Sequence, residues 1–252
     1  MKTPYTQLIG LALISGAFLT SSLRASDDKT IALGDRTITQ GEVLYDSKKS
    51  DQARQGWKGI DSLSGFAEDQ ARLCRIPDGS KNAAWNWSEL NLPSDQAGVM
   101  LSLSIQLSKV PESIQSGMGG LFDISIKPEG DAPSFAFTLT AAYLRGGSWF
   151  LNGLKGGLKI PNQTERKPFE KIVISNGAAE TSKGPGLDAE PHELRLIVLP
   201  GLLAAFWDEQ LIFQAEDPQI APGKISVRAL DPGAAFESID LISLKLATVS
   251  VK

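Results

Sequence analysis

From Val99 to Ser108 the chain reads VMLSLSIQLS, setting Val99, Leu101, Leu103, Ile105 and Leu107 on one face and Met100, Ser102, Ser104, Gln106 and Ser108 on the other. A period of two marks a β-strand with one buried and one wetted face. GLFDISIK repeats it, with Phe122, Ile124 and Ile126 inward against Asp123, Ser125 and Lys127. SFAFTLTAAYL repeats it again, with Phe135, Phe137 and Leu139 inward against Ala136, Thr138 and Thr140. Further strands are predicted at 29–33, 36–45, 72–76, 82–88, 171–175, 192–199, 202–207, 210–214, 223–229 and 235–247. KPEGDAPS, LPG, DPQIAPGK and LDPGA supply turn chemistry between them. Helical periodicity is confined to short stretches near 51–57 and 111–117. The segment 144–170, glycine-rich around Trp149, reads as one long loop.

About a dozen short strands at this spacing predict an all-β fold, an antiparallel sandwich or jelly roll with little helix. A parallel sheet would need crossover connections of about a dozen residues or more, and no helical pattern of that length lies between the strands. No repeat at a fixed period is present, which removes propellers and solenoids.

The first residues change the picture of where the protein works. MKTPYTQLIGLALISGAFLTSSLRAS has a lysine near its start, an apolar run over 8–20 and small residues ahead of Asp27, the layout of a secretory signal peptide over 1–26. That run is shorter than the roughly 20 residues a bilayer span requires. The expectation is a secreted or periplasmic protein with no membrane span after cleavage, folded as a single domain over 27–252. Removing Lys2 and Arg24 from 25 basic residues leaves 23 against 29 acidic ones, a formal charge of −6. An acidic chain does not suit a nucleic-acid backbone, so no nucleic-acid partner is expected.

A single cysteine, Cys74, excludes an intrachain disulfide, and a single histidine, His192, excludes a multi-histidine metal site. No cofactor or metal is expected. Calcium would have only Glu129 with Asp131, or Asp188 with Glu190, to draw on. Asn86 and Asn162 stand in glycosylation triplets that matter only in a eukaryotic host. No G-x-S-x-G elbow accompanies His192, which reads as a surface or strand-edge residue, and Cys74 reads as a small buried hydrophobe. Glu237 and Asp240 are three apart and point to opposite sides of a strand, so they do not form a glycosidase pair.

Two stretches resemble a known family. The run from HELRLIVLPGLLAAFWDEQLIF to ESIDLISLKL is similar to the last third of the concanavalin A-like, laminin-G-like jelly rolls, and GGLFDISIKPEGDAPSFAFTLTAAYL to their central hairpin. Together they cover roughly half of the mature chain by apolar spacing rather than signature residues. The nearest group is the secreted laminin-G-like domain related to 3-keto-disaccharide hydrolases, and the resemblance implies an extracytoplasmic sugar context. Asp208, Glu209 and Gln210 stand where the family turns at Asn-Gly or Asp-Gly. Ala136 and Thr138 stand where the enzyme branch shows an acid and an amide.

The functional expectation is therefore carbohydrate binding, with a glycan or glycoconjugate partner, through an aromatic loop and a polar sheet face. The ligand-binding candidates are Trp149, Asn152, Gln106 and Thr138. An exposed tryptophan offers a stacking plane to a sugar ring. The alternative is a hydrolase of the keto-glycoside type, with Asp123, Lys127 and Arg195 as its catalytic candidates; a further alternative is a structural envelope protein without ligand.

Overall fold

The structure, a computed structural model, describes residues 30–49, 57–58, 74–77, 84–86, 98–107, 117–144, 148–160, 163, 165–175, 186–187, 190–229 and 238–252. The predicted signal peptide lies outside them. Among the described residues seventeen strands follow in chain order. The first eight are β1 (Thr30–Leu33), β2 (Arg36–Asp46), β3 (Trp57–Lys58), β4 (Cys74–Pro77), β5 (Ala84–Asn86), β6 (Val99–Leu107), β7 (Gly117–Pro128) and β8 (Phe135–Leu144). Then come β9 (Ser148–Lys159), β10 (Arg166–Lys167), β11 (Lys171–Ser175), β12 (Gly186–Leu187), β13 (His192–Leu199), β14 (Leu202–Trp207), β15 (Gln210–Glu216), β16 (Gly223–Ala229) and β17 (Ser238–Val251).

They form two antiparallel sheets. The nine-stranded one runs β1-β2-β17-β6-β13-β14-β15-β11, with β4 also on β17; the eight-stranded one runs β10-β9-β8-β7-β16-β5-β3, with β12 also on β9. The 14-residue β17 pairs with β4 over its first half and with β2 over its second, with β6 on its other side. All described pairs are antiparallel, in keeping with the alternation of the sequence.

The alternating residues close the core between the sheets. Leu101, Leu103 and Ile105 of β6 meet Phe122, Ile124 and Ile126 of β7 and Phe135 and Phe137 of β8 in one cluster, each at 1% exposure or less. The Phe137 and Phe213 rings, one from each sheet, lie 5.1 Å apart in tilted contact. Met100 departs from the expected wetted face: it is buried in a second cluster with Ile38, Ile197, Leu202, Phe206 and Val249. At this end β13 and β14 read IVL and LLAAFW, apolar at consecutive positions, so both faces of the nine-stranded sheet exclude water.

Two readings need correction. The segment 144–170 is not a loop: it holds β9 and β10. Its glycines serve close approach rather than turning. A Cβ on Gly156 would lie 2.7 Å from Phe169 and 2.8 Å from Phe213, so the inner face of β9 stays bare where those rings pack. Secondly, Trp57 and Gly117, at the ends of the two stretches read as helical, open strands β3 and β7; the rest of both stretches lies outside the described residues.

Candidate functional site

Polar chemistry gathers on the outward face of the eight-stranded sheet. On β7 the residues between the buried Phe122, Ile124 and Ile126 are Asp123 and Ser125, which therefore face away from the core. Register places Asp123 beside Thr138 of β8 on one side and Arg228 of β16 on the other. Ser125 stands beside Ala136 and Ser226, and Ala136 stands beside Gly157 of β9. A row of small residues thus crosses four neighbouring strands.

That row lets two long cationic side chains lie over the sheet. A Cβ on Gly157 would come within 2.5 Å of the Lys167 carbonyl oxygen and 3.1 Å of the Arg166 Cβ, so glycine there admits both β10 and the Arg166 side chain. Arg166 Nη2 donates to Asp123 Oδ1, and its Nη1 donates to Thr138 Oγ1 at 2.7 Å. Thr138 Oγ1 in turn donates to Asp123 Oδ1 at 2.7 Å. Arg228 Nη2 lies 3.5 Å from Asp123 Oδ2, and Lys159 Nζ donates to Ser125 Oγ at 2.6 Å. Asp123 is 7% exposed.

Burial alone pushes the Asp123 carboxyl up, but the Thr138 hydrogen bond and the Arg166 guanidinium together outweigh it and hold the group below the usual carboxylate range. Asp123 is therefore ionised at neutral pH and is no proton donor. Burial pushes the Lys159 ammonium down; Arg166 and Arg228 add to this against the pull of Asp123. Most glycosidases pair two carboxylates about 5–10 Å apart. Asp123 is the one acidic residue in β7, β8, β9, β10 and β16. The described strands of this face hold donors and acceptors fixed in place.

The structure brings together only some of the candidates read from sequence. Asp123 and Thr138 touch, and Lys127 follows on the same face, exposed. Gln106 and Arg195 belong to β6 and β13 of the other sheet, where Arg195 pairs with Glu193 at 2.8 Å. They do not share a patch with Asp123. Trp149 sits within β9, paired with Tyr143 and Leu187, and Asn152 falls at the bulge where β9 shifts register against Thr140 and Ala141. Arg228 and Lys159 were legible in principle from the alternation of KISVR and LKGGLK. Arg166 had no local signal, because its strand is two residues long and its neighbours read as loop.

His192 is buried rather than at the surface. Its Nδ1 lies 2.6 Å from Asp208 Oδ2, and its ring packs against Trp207 with centroids 5.1 Å apart. Asp208 Oδ1 also accepts the Glu193 N–H at 2.8 Å. The carboxylate thus ties the β14–β15 turn to β13. Asp208 and Glu209 both take positive φ, 47° and 71°, so they adopt the left-handed geometry that Asn-Gly or Asp-Gly provides in a tight hairpin.

No group of three or more His, Cys, Asp or Glu among the described residues could hold a metal ion. Glu129 and Asp131 are exposed in the β7–β8 turn, and Asp188 lies outside the described residues. Among the described residues no helix is long and apolar enough to cross a membrane.

No protein-family model matches the chain, and no curated protein matches it. Solved structures do. One is a galectin-like protein of unknown function from Bacillus subtilis, at 12% identity over 84% of this chain and 98% of that one, TM-score 0.41. A carbohydrate esterase from the Shiga toxin-encoding bacteriophage phi24B matches at 14% identity over 82% and 98%, TM-score 0.44. The Emp46p carbohydrate recognition domain matches at 16% over 68% and 79%, TM-score 0.38. At these identities and TM-scores the likenesses assign neither family nor ligand, and the 3-keto-disaccharide hydrolase group is not among the three.

Proposed function

We propose that the protein binds carbohydrate on the outward face of its eight-stranded sheet. The observation that carries this is the Arg166–Thr138–Asp123 network, which fixes charged and hydroxyl groups on three different strands before any ligand arrives. Sugar hydroxyls are donors and acceptors at once, and a prearranged set of both kinds recognises them without ordering cost. Catalysis has less support, because the buried carboxylate of this face is ionised and committed to Thr138 and Arg166.

The proposed setting is outside the cytoplasm, on the strength of the signal-like segment 1–26. Intact mass of material recovered from the periplasm or medium tests this; a chain still beginning at Met1 overturns it.

The binding reading is tested by screening the full chain on a glycan array and titrating the hits against wild type and Thr138→Val. The variant removes the hydroxyl that bridges Asp123 and Arg166, so the prearranged set loosens and affinity is expected to fall about tenfold, roughly 1.4 kcal/mol. Absence of binding to any glycan by a folded wild type overturns the proposal.

A further inference from the structure

We infer that the carbohydrate taken by this face is acidic, a saccharide whose rings bear carboxylate or sulfate groups; the inference rests on the binding reading above. Lys127, Lys155, Lys159, Arg166, Lys224 and Arg228 all stand outward on β7, β9, β10 and β16, with Asp123 as the single carboxylate in those strands. The chain as a whole is of the opposite sign, with 25 Lys+Arg against 29 Asp+Glu. Among the described residues of these strands positive charge therefore prevails, against the sign of the chain.

On the nine-stranded sheet two cations have carboxylate partners from their own sheet. Arg195 is paired with Glu193 and Lys171 with Glu216, each at 2.8 Å. On the eight-stranded sheet the register instead sets Lys224 directly opposite Lys127. Like charges directly opposite on neighbouring strands cost stability. Both lysines are exposed, and neither has an ion-pair partner among the described residues. Further along the face Arg166 and Arg228 share one carboxylate, and both repel Lys159. An anion seated among these groups relieves the repulsion and gains charge-assisted hydrogen bonds; a neutral sugar leaves the repulsion in place.

The test titrates the full chain with matched pairs at low and high salt: oligogalacturonate against its methyl ester, and dextran sulfate against dextran, with linear polyphosphate as a control. The acidic member of at least one pair is expected to bind tenfold or more tightly than its neutral twin, with a preference that shrinks as salt screens the charges. Which pair shows the preference distinguishes carboxylate from sulfate. The double variant Lys127→Gln/Lys224→Gln is expected to lose most of that preference while its melting temperature holds or rises, since it removes a repulsion. Equal binding of the neutral twins overturns the acidic inference and leaves the sugar reading standing. Polyphosphate binding as tight as the acidic sugars overturns it as well, as simple ion exchange. Binding of no saccharide in either form overturns both.

Discussion

Arg166 and Asp123 are 43 residues apart in sequence, on strands β10 and β7, and their side chains meet in an ion pair above the eight-stranded sheet. Strands β9 and β8 lie between them in the sheet order, so the contact exists only because what lies beneath is small: Gly157 and Ala136 are paired neighbours there. The pair also decides the state of the site, because Arg166 and Thr138 keep Asp123 ionised despite its burial.

A folded carboxyl held below its ordinary value contributes stability that is complete above the unfolded value, about 3.9, and is lost as pH falls through the lower folded value. Asp123→Asn is expected to be destabilised by about 1.5–3 kcal/mol at pH 7, the range for a hydrogen bond to a charged group. Urea melts at descending pH are expected to show the gap between variant and wild type narrowing below about pH 4. A gap that stays constant to pH 2 contradicts the ionised assignment.

Gly157→Ala places a methyl group against the Lys167 carbonyl and the Arg166 Cβ. The expected cost is about 1–3 kcal/mol in chemical denaturation, as for overpacking. Glycan binding is expected to weaken with it, because Arg166 is pushed off Thr138.

Leu103 is fully buried, while its neighbour Ser102 faces outward between Arg195 and Lys245 on the flanking strands. Leu103→Asp is expected to leave no folded protein, since an unpaired charge enters the core. Ser102→Asp meets two cations and is expected to stay within about 0.5 kcal/mol of wild type. Equal thermal melts for the two variants would mean that the register of β6 is wrong.

Glu209 holds φ at 71° in a two-residue turn between the paired Trp207 and Gln210. Glu209→Gly produces the Asp-Gly pair that this geometry favours, and a gain of about 0.5–1 kcal/mol is expected from relieving the left-handed strain. Unchanged or lowered stability would show that the glutamate side chain contributes there.

The strand pattern by itself determined which face of each central strand is buried. Alternation in VMLSLSIQL, LFDISIK and FAFTLT is a local property, and Leu103, Ile124 and Phe137 fill the core as it dictates. The antiparallel class followed from the lack of connecting helices. Sequence could not say which sheet a strand joins, because pairing is decided by contacts far along the chain; Gln106 and Arg195 therefore read as neighbours of Asp123 although they stand on the other sheet. Nor could it tell a glycine that turns from a glycine that makes room. Gly156 and Gly157 look alike in LKGGLK, yet one yields space to Phe213 in the core and the other to Arg166 on the outer face. Only the stacking of sheets and the passage of β10 beside β9 supply those neighbours, so the cationic face came into view only in the folded chain.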